Sequence, residues 1–82
     1  MNVRHLHFIG IGGTGMSALA RVFLARGVRV SGSDVADRLI LRVLREEGAK
    51  VYVGHSPEHV DGAEAVVYTS DVPEDNVEFV EA

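Results

Sequence analysis

Three glycines set the chemistry open to this chain. Gly10, Gly12 and Gly15 stand at G-x-G-x-x-G spacing within Phe8-Ile9-Gly10-Ile11-Gly12-Gly13-Thr14-Gly15-Met16-Ser17. Between a strand and a helix, such a cluster suits a phosphate. Gly10 allows a tight turn, Gly12 lets the backbone approach a pyrophosphate, and Gly15 lets the helix pack close to the strand. The helix start then offers unpaired N–H groups to the anion. A second polar group is Ser31-Gly32-Ser33-Asp34, with Asp34 about 20 residues beyond the glycines, where an acidic side chain commonly meets ribose hydroxyls. The competing role for Asp34 is the N-cap of the next helix. His55, within Gly54-His55-Ser56-Pro57, and the pair Thr69-Ser70 complete the candidates.

The elements that must position these residues follow from the hydrophobic pattern. His5 to Ile11 is nearly continuous in apolar character, as in a strand covered on both faces. His5 and His7 share one side of it. As a metal pair they lack a third ligand nearby, so packing or surface roles are favoured. Thr14 to Arg26 reads as a helix with Met16, Leu19, Ala20 and Phe23 inward, Val22 and Leu24 widening that face, and Ser17 and Arg21 opposite. Gly27 ends it. Val28 to Ser33 is a second strand. Asp37 to Glu47 is a second helix with Ile40, Val43 and Leu44 inward, Leu41 at the edge, a solvated Arg38-Arg42-Arg45-Glu46 face, and Gly48 as its stop. Lys50 to Val53 is a third strand. Ser56 and Pro57 open a single turn through Val60. Glu64 to Thr69 is a fourth strand, and a last helix starts near Asp75-Asn76.

This alternation predicts an α/β fold: a Rossmann-like three-layer domain with a parallel sheet. Right-handed crossovers give the strand order 3-2-1-4. The ligand crevice then lies outside the carboxyl ends of strands 1 and 4, where the order reverses. All the candidates fall at that edge.

Eighty-two residues allow one small domain. The net charge of −4 disfavours nucleic acid and anionic membrane as partners. A phosphorylated ligand remains compatible, because backbone amides can supply the site. Cysteine is absent, which excludes disulfides and thiolate metal sites and fits a cytoplasmic protein. No apolar run approaches the roughly 20 residues of a membrane span. Met1-Asn2-Val3-Arg4 enters a strand at once, leaving no room for a signal peptide.

The strings His7-Phe8-Ile9-Gly10-Ile11-Gly12-Gly13-Thr14-Gly15-Met16-Ser17, Ser31-Gly32-Ser33-Asp34 and Gly54-His55 resemble the N-terminal domain of the Mur ligase family of peptidoglycan synthesis. The resemblance covers essentially the whole chain. It points first to the branch that adds L-alanine to UDP-N-acetylmuramate and second to the branch that uses a murein tripeptide. It implies that this domain binds the UDP part of UDP-N-acetylmuramate, with the amides from Ile11 to Met16 on the diphosphate. Ser33 and Asp34 would face the ribose, and His55 with Thr69-Ser70 would approach the uridine. Asp71 and the Asn76-Val77 pair depart from the family's usual pattern beside that last segment.

ATP and Mg2+ belong, in the family, to central and C-terminal domains. No G-x-x-x-x-G-K-[ST] loop occurs here. The chain alone is therefore expected to lack catalytic residues and metal ligands, although the parent would be an ATP-dependent ligase. The competing reading is an NAD-binding domain of an oxidoreductase or regulatory protein. Neither the Gly12-Gly13-Thr14-Gly15-Met16-Ser17 loop nor the Gly54-His55 pair is required for that.

Overall fold

A computed structural model describes residues 4–35, 37–60, 62–68 and 76. The order of elements is β1 (His5–Ile9), α1 (Thr14–Ala25), β2 (Arg29–Asp34), α2 (Leu39–Glu46), β3 (Lys50–Val53), a 3-10 turn (Pro57–Val60) and β4 (Ala65–Val67). The four strands form one parallel sheet in the order β3-β2-β1-β4. This is the expected α/β topology, with the strand order reversing between β1 and β4.

The register explains how the two faces differ. His5 pairs with Arg29, His7 with Ser31 and Ile9 with Ser33, while Leu6 pairs with Val30 and Phe8 with Gly32. Alternation therefore puts Leu6, Phe8, Val30 and Val51 on one face. There they meet Ile11, Met16 and Ala20 from the loop and α1, and Leu41 and Leu44 from α2, in one core. The other face carries His5, His7, Ser31, Ser33 and Tyr52, and the 3-10 turn lies across it, with His59 stacked on Tyr52 at 3.8 Å between ring centres. Ser31 makes this polar face possible. Its hydroxyl lies 2.8 Å from both His5 Nε2 and His7 Nδ1, so fully buried His7 has a hydrogen-bond partner. The two histidines are thus packing residues bridged by a serine.

Several boundaries and faces differ from the sequence expectation. β1 stops at Ile9 because Gly10 takes φ +81° and turns the chain. β2 runs on through Asp34, and α2 starts at Leu39, not Asp37. In α1, buried Ser17 replaces Leu19 on the inner face, and Leu19 and Val22 are exposed. The inward arc is centred between Met16 and Ala20, about 100° per residue, which leaves Leu19 at its flank. In α2 the deepest residues are Leu41 and Leu44, with Ile40 and Val43 only partly buried. Arg45 is not merely solvated: its guanidinium donates to the Val51 carbonyl. The helices are tied together at their outer surface by Arg21 and Glu47, at 2.7 and 3.2 Å. Thr69, Ser70, Asp71 and, apart from Asn76, the expected last helix lie outside the described residues.

Candidate functional site

The glycine loop is held from below by β2. The Ser33 carbonyl accepts the amides of both Gly10 and Ile11, at 2.8 and 3.0 Å. Gly13 N–H donates to the Gly10 carbonyl at 3.1 Å, closing the turn. Asp34 completes the attachment. Its Oδ2 accepts the Gly12 amide at 2.8 Å and its Oδ1 accepts the Val35 amide at 2.7 Å. Asp34 is only 6% exposed, so these are charge-assisted bonds at a mostly buried carboxylate. It does not cap α2, whose N-cap position is Arg38.

Four loop amides, those of Gly10, Ile11, Gly12 and Gly13, are thus committed to the protein itself. What remains is the first turn of α1. Its N-cap is Gly13, which has no side chain to fold back onto the helix. Ser17 N–H reaches the Gly13 carbonyl at 2.8 Å. Among the described residues, the amides of Thr14, Gly15 and Met16 carry no such partner. Three adjacent open donors at the positive end of a helix dipole are the arrangement by which a helix start can hold an anion through backbone amides.

Gly10 makes the turn as the fingerprint assigns, but Gly12 and Gly15 have surroundings it does not anticipate. A Cβ on Gly12 would sit 2.5 Å from Asp34 Oδ2, so this glycine makes room for the carboxylate. A Cβ on Gly15 would meet nothing within 4 Å, so close helix–strand packing is not its role. That role belongs to Gly32, where a Cβ would fall 2.5 Å from Ile11 Cδ1 and 2.9 Å from the Phe8 carbonyl oxygen. A glycine inside a strand pattern is a signal for such close approach, and it was present in Ser31-Gly32-Ser33.

Ser33 and Asp34 are adjacent in β2 and therefore point to opposite faces. Asp34 joins the loop on the helix-covered face. The Ser33 hydroxyl joins His55, whose Nδ1 is 2.8 Å away on the other. Gly54 N–H donates to the Asp34 carbonyl at 2.6 Å, which places His55 beside the end of β2. The structure therefore brings Gly10 to Met16 together with Asp34, and Ser33 together with His55. These pairs flank the carboxyl edge of the sheet from its two sides. Among the described residues no three His, Asp or Glu side chains group as metal ligands, and no helix is long and apolar enough to cross a membrane.

Residues 5–82 match the family model described as Mur ligase family, catalytic domain. The chain belongs to the Mur ligase family. What it matches is the family's N-terminal domain. It is 51% identical over 80 residues to UDP-N-acetylmuramate–L-alanine ligase of Persephonella marina, covering 98% of this chain and 17% of that protein. It is 57% identical over 77 residues to the ligase of the same name from Thermobifida fusca, covering 94% of this chain and 16% of that protein. The chain thus spans about one-sixth of the length of these Mur ligases. The crystal structure of UDP-N-acetylmuramate–alanine ligase from Thermotoga maritima superposes with a TM-score of 0.91 at 36% identity, over 99% of this chain and 19% of that one. A murein peptide ligase from Psychrobacter arcticus gives 0.85 at 28% identity, over 95% and 16%.

Proposed function

We propose that this chain is the UDP-binding N-terminal domain of a UDP-N-acetylmuramate–L-alanine ligase acting in the cytoplasm on a peptidoglycan precursor. The observation that carries this reading is the row of open amides at Thr14, Gly15 and Met16, presented by a loop latched to Asp34 in a Mur ligase chain. The diphosphate sits on those three amides, and Gly10 to Gly13 shape the turn that presents them. Asp34 uses two of the roughly four acceptor sites of a carboxylate on Gly12 and Val35, which leaves capacity for a ribose hydroxyl. The Ser33–His55 pair forms the uridine side, to which the family resemblance adds Thr69 and Ser70.

In the parent enzyme, ATP and Mg2+ supply activation of the substrate carboxylate for attack by the amine of L-alanine. The residues of this chain do not fit either group, since it has no P-loop and, among the described residues, no cluster of metal ligands. Its contribution is therefore to bind and orient the nucleotide end of the substrate, and catalysis belongs to the rest of the enzyme. Calorimetric titration separates this from the dinucleotide reading. UDP-N-acetylmuramate is expected to bind saturably and NAD is not. Saturable binding of NAD alone would overturn the proposal.

A further inference from the structure

The amino-terminal edge of the sheet, opposite the glycine loop, holds a cavity of about 330 Å³. It lies between the polar face of the sheet and the 3-10 turn. His5, Ser31 and Tyr52 form its floor, His59 stacks over Tyr52, and exposed Arg29 and Lys50 stand at its rim. Its size is at the small end for ligand cavities. We propose that this cavity is a second, independent binding site, taking a small phosphate-class oxyanion.

The register delivers the donors. His5 pairs with Arg29 and Ser31 with Lys50, so the first residues of β1, β2 and β3 present their side chains on one face. Among the described residues, neither Arg29 nor Lys50 forms an ion pair with a carboxylate. Lys50 Nζ leans over the Tyr52 ring, 5.7 Å from its centre, and so stays at the cavity. His5 spends Nε2 on Ser31, which leaves Nδ1 on the side of Gly62, where a Cβ would come within 3.9 Å. Gly62 itself lines the cavity.

The shared serine couples the tautomers of the two histidines. Ser31 Oγ has one hydrogen and two histidine neighbours, so it can donate to only one of the two rings. When it donates to His5 Nε2, the His5 proton resides on Nδ1 and faces the cavity. The carboxylate in the lining, Glu58, is exposed and accepts from the Ser56 hydroxyl and a backbone amide; it stays ionised and opposes an anion, against which Arg29 and Lys50 supply two positive charges. Two cations without carboxylate partners, and an imidazole that donates when its proton is on Nδ1, surround one polar hollow with groups an oxyanion can use. They are the more notable in a chain of net charge −4.

The test is an amide-resolved titration of the chain with inorganic phosphate, against sodium chloride at matched ionic strength. The amides of His5, Arg29, Lys50 and Tyr52 are expected to move saturably, on a curve separate from that of Thr14 to Met16. Replacing both rim cations (Arg29→Gln with Lys50→Gln) should weaken the edge site at least about tenfold and leave the loop curve unchanged. The proposal is overturned if the edge amides do not saturate, if chloride reproduces their movement, or if the double variant titrates like the parent chain.

Discussion

Joining Gly12 to Asp34 predicts a coupling that a free phosphate loop would not show. The Asp34 carboxylate accepts two amides, and Asn offers only one oxygen in its place. Asp34→Asn must therefore turn an NH2 toward one of them, losing a charge-assisted bond and leaving a donor unmet at a 6%-exposed position. The expected cost is about 1.5–3 kcal/mol. In a domain of this size that lowers the melting temperature by on the order of 10 °C. Gly12→Ala reaches the same bond from the other side. Gly12 does not adopt positive φ, so alanine suffers no backbone penalty there. Its Cβ would lie 2.5 Å from Oδ2 and 3.4 Å from Leu41 Cδ2, which displaces the carboxylate. The two single variants should thus be similarly destabilised. The double variant should be little worse than either, giving a coupling energy close to the single-variant cost. Urea unfolding of the four proteins, with m-values compared, measures this cycle. Costs that add within about 0.5 kcal/mol would refute the latch. The loop geometry also means that substitution of Gly12 weakens folding as well as binding. Loss of nucleotide affinity in Gly12→Val with intact stability would count against the account.

Other consequences follow from named contacts. Gly32→Ala forces a methyl against Ile11 and the Phe8 carbonyl, and should cost at least about 1–3 kcal/mol in urea unfolding, whereas Gly15→Ala should be nearly neutral. Ser31→Ala removes the hydroxyl that serves buried His7 and half-buried His5, and should cost about 1–3 kcal/mol by the same measurement. Glu58 is held below the usual glutamate range by the Ser56 hydroxyl and then by a backbone amide. Its folded pKa is depressed, so its small stabilising contribution is present above the unfolded value and is lost as pH falls through the folded one. A pH series of melting temperatures should show this decline in the parent chain and a shallower one in Glu58→Gln.

The succession of elements and the helix-ending glycines were legible because each rests on local pattern, in apolar runs, 3.6-residue spacing and turn residues, and the strand order followed from right-handed crossovers. Gly27 and Gly48 do adopt positive φ immediately after their helices. What escaped is what depends on register. The pairing of His7 with Ser31 requires knowing that these positions are opposite one another in β1 and β2. The division of labour between Ser33 and Asp34 follows from strand alternation, which extends to them only if β2 runs through Asp34. Likewise, a fingerprint assigns glycines to generic tasks, and only the neighbouring side chains reveal that Gly12 accommodates Asp34 and that Gly32, outside the fingerprint, accommodates Ile11.

The central claim is that the diphosphate rests on the first turn of α1 while the glycine turn below stays latched. Amide-resolved titration of the chain with UDP tests it directly. The account predicts that Thr14, Gly15 and Met16 show the largest shifts, while the Gly12 amide keeps its hydrogen bond to Asp34 and remains slow to exchange with solvent. Saturable UDP binding that leaves Thr14 to Met16 unmoved, or that frees the Gly12 amide to exchange, would contradict it.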